Sequence, residues 1–182
     1  LRYGEGDNLN VHNKYEGRII EEIAKTENKH PIDVFLDISL SENLSSRWVT
    51  PPQKIEMEAM SRLANHPFSV PGLSDGGAHM KFLTAAIYPT YFLGTLCRDN
   101  NVMSLEKAHW KLSAYPAQVA GIRDRGHLTE GFGADIVIYD LDELDYGPME
   151  RLQDFPADDW RLVQRPKGYK HIIVNGVVTN KN

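Results

Sequence analysis

Cysteine is nearly missing from this sequence: Cys97 is the single one in 182 residues. One thiol excludes an internal disulfide framework and a cluster of metal-bound thiolates. It fits a reducing compartment, so a cytoplasmic location is expected. A free cysteine in the apolar-leaning 91–97 run is expected to be a buried small residue. Long hydrophobic runs are missing too. No stretch approaches the roughly 18 apolar residues of a membrane span, and no membrane partner is expected. The opening residues, Leu1-Arg2-Tyr3-Gly4-Glu5-Gly6, lack the charged-then-apolar pattern of a secretory leader. Positive charge is not concentrated anywhere. The net charge is −5, and without a Lys/Arg stripe to displace counterions from phosphates no nucleic-acid partner is expected.

Short-range metal motifs are also lacking. The histidines stand at positions 12, 30, 66, 79, 109, 127 and 171, so no H-x-H, H-x-x-H or H-x-x-x-H occurs. There is no G-x-S-x-G nucleophile elbow and no phosphate-cradling glycine loop. The carboxylate pairs Asp142-Glu143 and Asp158-Asp159 fall in a polar stretch and are expected to be solvated. His109, between Ala108 and Trp110, is expected to be structural, and Trp48, Trp110 and Trp160 are too dispersed for a stacking platform.

What is present is ordinary globular material, 41% hydrophobic and 25% charged. The first third reads helical. Ile19, Ile20, Ile23 and Ala24 share one helical face, and Pro31 suits the first turn of a helix carrying Val34, Phe35 and Ile38. Thr50 as N-cap with Pro51 behind it predicts a helix over 51–65. The run 68–73 predicts a strand, weakened by Pro71. Helical pieces follow within 81–98, interrupted near Pro89, and over 104–115, with Pro116 starting a further turn that ends at Gly121. Residues 134–140 read as a buried strand. Residues 171–178 read as two strands joined by Asn175-Gly176, a pair that tolerates positive φ. Between them, 141–168 reads as a long polar excursion. The expected division is a partial β/α segment, 1–122, and a β-rich segment, 123–182.

The densest chemical candidate is Gly72-Leu73-Ser74-Asp75-Gly76-Gly77-Ala78-His79. A carboxylate just after a strand can face a site at the strand ends, with the glycines turning the backbone beside it. The plainer alternative is that Asp75 is a turn residue and His79 a surface or core histidine, since Asp-Gly pairs are common in turns.

This segment resembles the G-L-S-D-G-G-A-H stretch of the D-aminoacylase and N-acyl-D-amino-acid deacylase branch of the amidohydrolases. Two further segments agree in order and spacing. One is Tyr115-Pro116-Ala117 through Gly121, followed by Arg125-Gly126-His127-Leu128-Thr129-Glu130-Gly131-Phe132-Gly133-Ala134-Asp135-Ile136-Val137. The other is Arg161-Leu162-Val163-Gln164-Arg165 through Val174-Asn175-Gly176. The resemblance implies an α/β fold: the terminal portion of a (β/α)8 barrel plus part of a small β-sandwich. It implies hydrolysis of C–N amide bonds, with N-acyl-D-amino acids as substrates and zinc as the cofactor of the complete enzyme. Asp75 takes the place of the carboxylate that ends the eighth barrel strand, binding metal and carrying the proton, and His79 and Ser74 match positions beside it. The remaining metal ligands of the family have no counterpart in this chain, which is therefore expected to be a truncated piece that holds zinc weakly or not at all. The rival expectation is a non-catalytic, self-associating remnant; a third is a subunit whose site another chain completes. A homodimer through the 68–98 region is expected, because a partial barrel leaves unpaired edges.

Overall fold

The structure, a computed structural model, describes residues 1–50, 54–77 and 79–181. Two compact units divide between Ile55 and Glu56. The change from helices to strands expected near residue 122 falls inside the second unit.

In the first unit, β1 (Arg2–Glu5) pairs antiparallel with β2 (Arg47–Val49), and α1 (Leu9–Tyr15), α2 (Ile20–Glu27) and α3 (Pro31–Ser41) lie between them in sequence. The strands were not foreseen. The amphipathic spacing of α2 buries Ile20, Ile23 and Ala24 against Val34 and Ile38 of α3, with Tyr3 and Tyr15 completing the core. Asn28, in the left-handed region, ends α2; Pro31 opens α3 behind His30, whose Nδ1 accepts from the Ile32 amide. The Tyr3 hydroxyl donates to the buried Glu42 carboxylate at 2.8 Å. Burial, and then this bond, push the Tyr3 phenol far above its usual range.

The second unit begins with α4 (Met57–Asn65). The helix expected over 51–65 starts only at Met57. Its core-facing residues are Met57, Met60 and Ala64, whereas Ile55 is exposed and outside it. The expected N-terminal residue Pro51 lies outside the described residues. A short 3-10 turn (Ala85–Ile87) leads into α5 (Tyr88–Tyr91), which continues as a π-helical segment (Phe92–Asp99). Pro89 does not interrupt this helix. It sits in the first turn, where its missing N–H is not needed. α6 (Leu105–Leu112), capped by Ser104, and α7 (Ala114–Val119) follow, and Gly121 takes a positive φ after the second. Phe92, Leu93, Leu96, Cys97, Met103, Ala108 and Leu144 form the core. The Cys97 thiol donates to the Met103 carbonyl, and burial pushes its pKa up.

β3 (Ile136–Tyr139), β6 (Tyr169–Val174) and β7 (Val177–Lys181) form an antiparallel sheet in the order β3-β6-β7. Asn175 and Gly176 join β6 to β7 with φ of 49° and 79°, the type I′ geometry expected of this pair. The Arg125 guanidinium bridges the Asp135 carboxylate and the Asn175 side chain, and Asp135 also accepts from the Asn175 amide. Three separated motif residues thus converge on one turn.

Two expectations need correction. The polar excursion is not irregular: β4 (Asp145–Phe155) and β5 (Asp159–Lys167) form a long antiparallel hairpin. Its apolar positions Leu152, Val163 and Leu162 are interleaved with charges, which hides the strand period. The segment 68–73 is not a strand. Among the described residues nothing pairs with it, and every strand pairing is antiparallel. Its start is a turn whose backbone pairs locally, the Phe68 and Ser69 amides with His66 and the Ser69 carbonyl with Lys111, and Pro71 removes one ladder donor outright. The fold is α/β, and among the described residues no parallel strand pair occurs.

Candidate active site around Asp75

The segment carrying Asp75 starts where α4 ends. His66 caps that helix, and Ser69 folds back to donate to the Leu63 and His66 carbonyls. The turn is fastened from the other side by Lys111 of α6. Its Nζ, fully buried, donates to the His66 and Ser69 carbonyls, each at 2.6 Å, and to the Ser69 hydroxyl at 3.2 Å. Three donors meet three acceptors, so the ammonium is satisfied by dipoles. Burial, and then the nearby Lys107, pull its pKa below 10.5. Sequence reasoning missed Lys111. The signal was there, because Lys111 lies three residues after Ala108 on the apolar face of the helix.

Beyond this turn the chain makes two unusual bends. Leu73 and Asp75 both have positive φ, 66° and 50°. A non-glycine residue in that region costs on the order of 1–2 kcal/mol. The Ser74 hydroxyl accepts from the Gly76 amide at 3.2 Å, closing a small side-chain turn. The Asp75 carbonyl accepts from the His79 amide at 3.1 Å, and the His79 carbonyl accepts from the Phe82 and Leu83 amides. Asp75 and Ser74 are half-buried; His79 is exposed and its ring lies 6.3 Å from that of Phe82. Among the described residues the half-buried Asp75 carboxylate takes no hydrogen bond.

The downstream end of the segment is fastened to β5. The Leu162 amide donates to the Met80 carbonyl at 2.7 Å. The Lys81 ammonium reaches both Asp159 oxygens, at 2.7 and 2.6 Å, and holds that carboxyl below its usual range. Thr84 donates to Gln164 at 2.8 Å. Asp159, expected to be solvated, is therefore half-buried and paired.

A cavity of about 650 Å³ opens elsewhere in the second unit, between α6, α7 and the strands β3 and β6. His109 and Tyr139 stand in its wall, the imidazole Nε2 and the phenol oxygen 2.7 Å apart, and burial raises the Tyr139 pKa. Ser74, Asp75 and His79 do not line it.

Among the described residues no three His, Cys, Asp or Glu side chains gather into a possible metal site. Asp75 is a suitable hard donor, but one carboxylate does not make the three- or four-ligand set zinc requires. The described side chains do not by themselves fit a zinc ion. Among the described residues no helix is long and apolar enough to cross a membrane.

Residues 14–179 match the amidohydrolase family. Over 88 residues the chain is 35% identical to the N-acyl-D-glutamate deacylase of Alcaligenes xylosoxydans xylosoxydans, a match covering 48% of this chain and 16% of that protein. An uncharacterised protein of Mycobacterium tuberculosis is 30% identical over 137 residues, 71% of this chain and 22% of the other. Two solved structures share the fold at 21% identity and a TM-score of 0.55. One is a D-aminoacylase, with 95% of this chain and 33% of that one covered. The other is the N-acyl-D-glutamate deacylase of Bordetella bronchiseptica complexed with zinc and a phosphonate inhibitor, with 97% and 34% covered. The chain thus spans 22% or less of the length of these curated relatives and about a third of these solved ones. The family match runs through nearly all of its residues, and the chain belongs to the amidohydrolase family.

Proposed function

We propose that this chain is the carboxyl-terminal portion of an amide-bond hydrolase acting on N-acyl-D-amino acids, with Asp75 as its proton carrier. What supports the reading is the state of Asp75: a half-buried carboxylate that takes no hydrogen bond among the described residues, in a segment fastened at both ends. In the reaction the carboxylate takes a proton from water, the water oxygen attacks the amide carbonyl, and the proton passes to the nitrogen as the C–N bond breaks. The products are a carboxylic acid and an amine, and the acid's proton then passes to the amine to leave a carboxylate and an ammonium. His79 and Ser74 are proposed as the contacts to substrate or to the reacting group. Zinc is the cofactor proposed for the complete enzyme, with Asp75 as one ligand. Residues 1–122 are proposed as the partial barrel segment of the complete enzyme, and the β-rich residues 123–182, with the β3-β6-β7 sheet, as part of a small β-sandwich.

The test is amine release from N-acetyl-D-glutamate and N-acetyl-D-leucine with zinc added, comparing the chain with Asp75→Asn. Release that falls at least about a hundredfold in the variant, the lower range of a general acid–base contribution, supports the reading. Release no greater than that of the variant overturns it for this chain and favours the non-catalytic remnant. A second reading, self-association as a two-fold dimer, is favoured by the exposed apolar side chains of Phe68, Leu73, Phe82 and Leu83 in the 68–98 region. Sedimentation at micromolar concentration tests it, and a monomer overturns it.

A further inference from the structure

We propose that the β4–β5 hairpin is the positioning element for Asp75, and that Gln164 is its central positioning residue. The hairpin reaches the segment just downstream of the candidate site at three places. Leu162, itself buried, gives its amide to the Met80 carbonyl at 2.7 Å. Asp159 holds the Lys81 ammonium, with Trp160 beneath that ammonium at 5.4 Å. Gln164 accepts from the Thr84 hydroxyl at 2.8 Å and, with the other end of the same amide, donates to the Gly147 carbonyl at 2.8 Å. One side chain therefore ties the Asp75 segment to β5 and β5 to β4.

The geometry converts hairpin rigidity into placement of the carboxylate. From Met80 back to Asp75 is five residues, and the step from His79 to Asp75 is a backbone hydrogen bond of 3.1 Å. With Met80, Lys81 and Thr84 fixed on β5, and Lys111 fixing His66 and Ser69, the intervening chain has both ends anchored. It passes through two positive-φ residues that would relax if an end were released. Of the three contacts, the Lys81–Asp159 pair is nearly half exposed on both sides and contributes little by itself. Gln164 is half-buried and makes two neutral hydrogen bonds at good distance, so it carries more of the restraint. The consequence for turnover rests on the reading of Asp75 as proton carrier; the placement itself does not.

The experiment measures amide hydrogen exchange at His79, Phe82 and Leu83 in the whole chain, with α6 amides as the internal reference. Gln164→Met keeps the shape and removes both bonds, while Gln164→Glu keeps the acceptor for Thr84. The expected result is exchange about five- to thirtyfold faster at the three site amides in Gln164→Met, the size of one to two lost hydrogen bonds. α6 should change by less than twofold, and Gln164→Glu should recover part of the protection. Lys81→Asp paired with Asp159→Lys should lie closer to wild type than either single change. Where hydrolysis is measurable, Gln164→Met should lower kcat by a similar factor with KM little changed. Site amides that stay within twofold of wild type, or that speed up only in step with α6, overturn the proposal. If the chain hydrolyses nothing, the functional reading fails while the exchange result still decides the positioning.

Discussion

Replacing Lys111 with methionine gives the sharpest view of how the candidate segment is held. The side chains have nearly the same volume, so packing against Trp110 and Tyr115, whose rings lie 5.7 and 5.1 Å from Nζ, is largely kept. What goes is a charged donor set. The His66 carbonyl retains the bond from the Ser69 amide at 3.2 Å. The Ser69 hydroxyl still donates to the Leu63 carbonyl. Only the Ser69 carbonyl is left without its donor. Ser69 is part-buried, so its lost bond from a charged donor costs about 1–3 kcal/mol less whatever water restores. Against that, the methionine chain no longer takes an ammonium out of water, which recovers part of the loss. The expected net is a destabilisation of about 1–2 kcal/mol at pH 7, or roughly 4–8 °C in Tm for a domain of this size. The pH dependence gives a second signature. Lys111 is lowered in the folded state, so below its folded pKa both states are protonated and the folded state bears the full cost of burying the charge. As pH rises from that value to 10.5 the unfolded chain binds more protons than the folded one, and wild-type stability grows. The gap between wild type and Lys111→Met, followed by urea melts across that window, should therefore widen. A gap that narrows as pH rises, or a variant as stable as wild type throughout, would refute the account of Lys111 as a saturated buried ammonium.

Two further outcomes are expected. At Gly168, φ is +85° and an added Cβ would fall 2.7 Å from the Glu143 carbonyl carbon and the Leu144 nitrogen, both backbone, so Gly168→Ala should lower stability by about 2–4 kcal/mol in urea melts; a loss under about 0.5 kcal/mol would contradict the close approach. Asp135 has its pKa lowered, first by the Asn175 amide and then by Arg125, so its contribution is present above 3.8 and is lost as pH falls toward the lowered value. Asp135→Asn should flatten this part of the acid limb, and an unchanged acid melt would remove Asp135 from the set of groups that link folding to pH.

Much of the helical framework was readable because the helices are amphipathic and punctuated. The Ile20–Ile23–Ala24 face, Pro31, Ser104 and Gly121 each act through local chemistry that a sequence displays. The Asn175-Gly176 turn was readable for the same reason. The β4–β5 hairpin was not, because two of its polar residues make sense only with partners far away in sequence: Asp159 with Lys81 and Gln164 with Thr84. Strand status at 68–73 also failed for a non-local reason, since a strand exists only with a neighbour. At the candidate site the motif pointed to Asp75, and nothing in it pointed to Lys111 or Gln164, which lie 36 and 89 positions further along the chain.

The solitary thiol has a practical consequence. Cys97 sits in the core of the second unit with its sulfur hydrogen-bonded and its pKa raised, and the first unit has no cysteine. An alkylating reagent can therefore reach sulfur only when the second unit opens. The rate of labelling under native conditions becomes a clock for that opening and needs no engineered probe to read it.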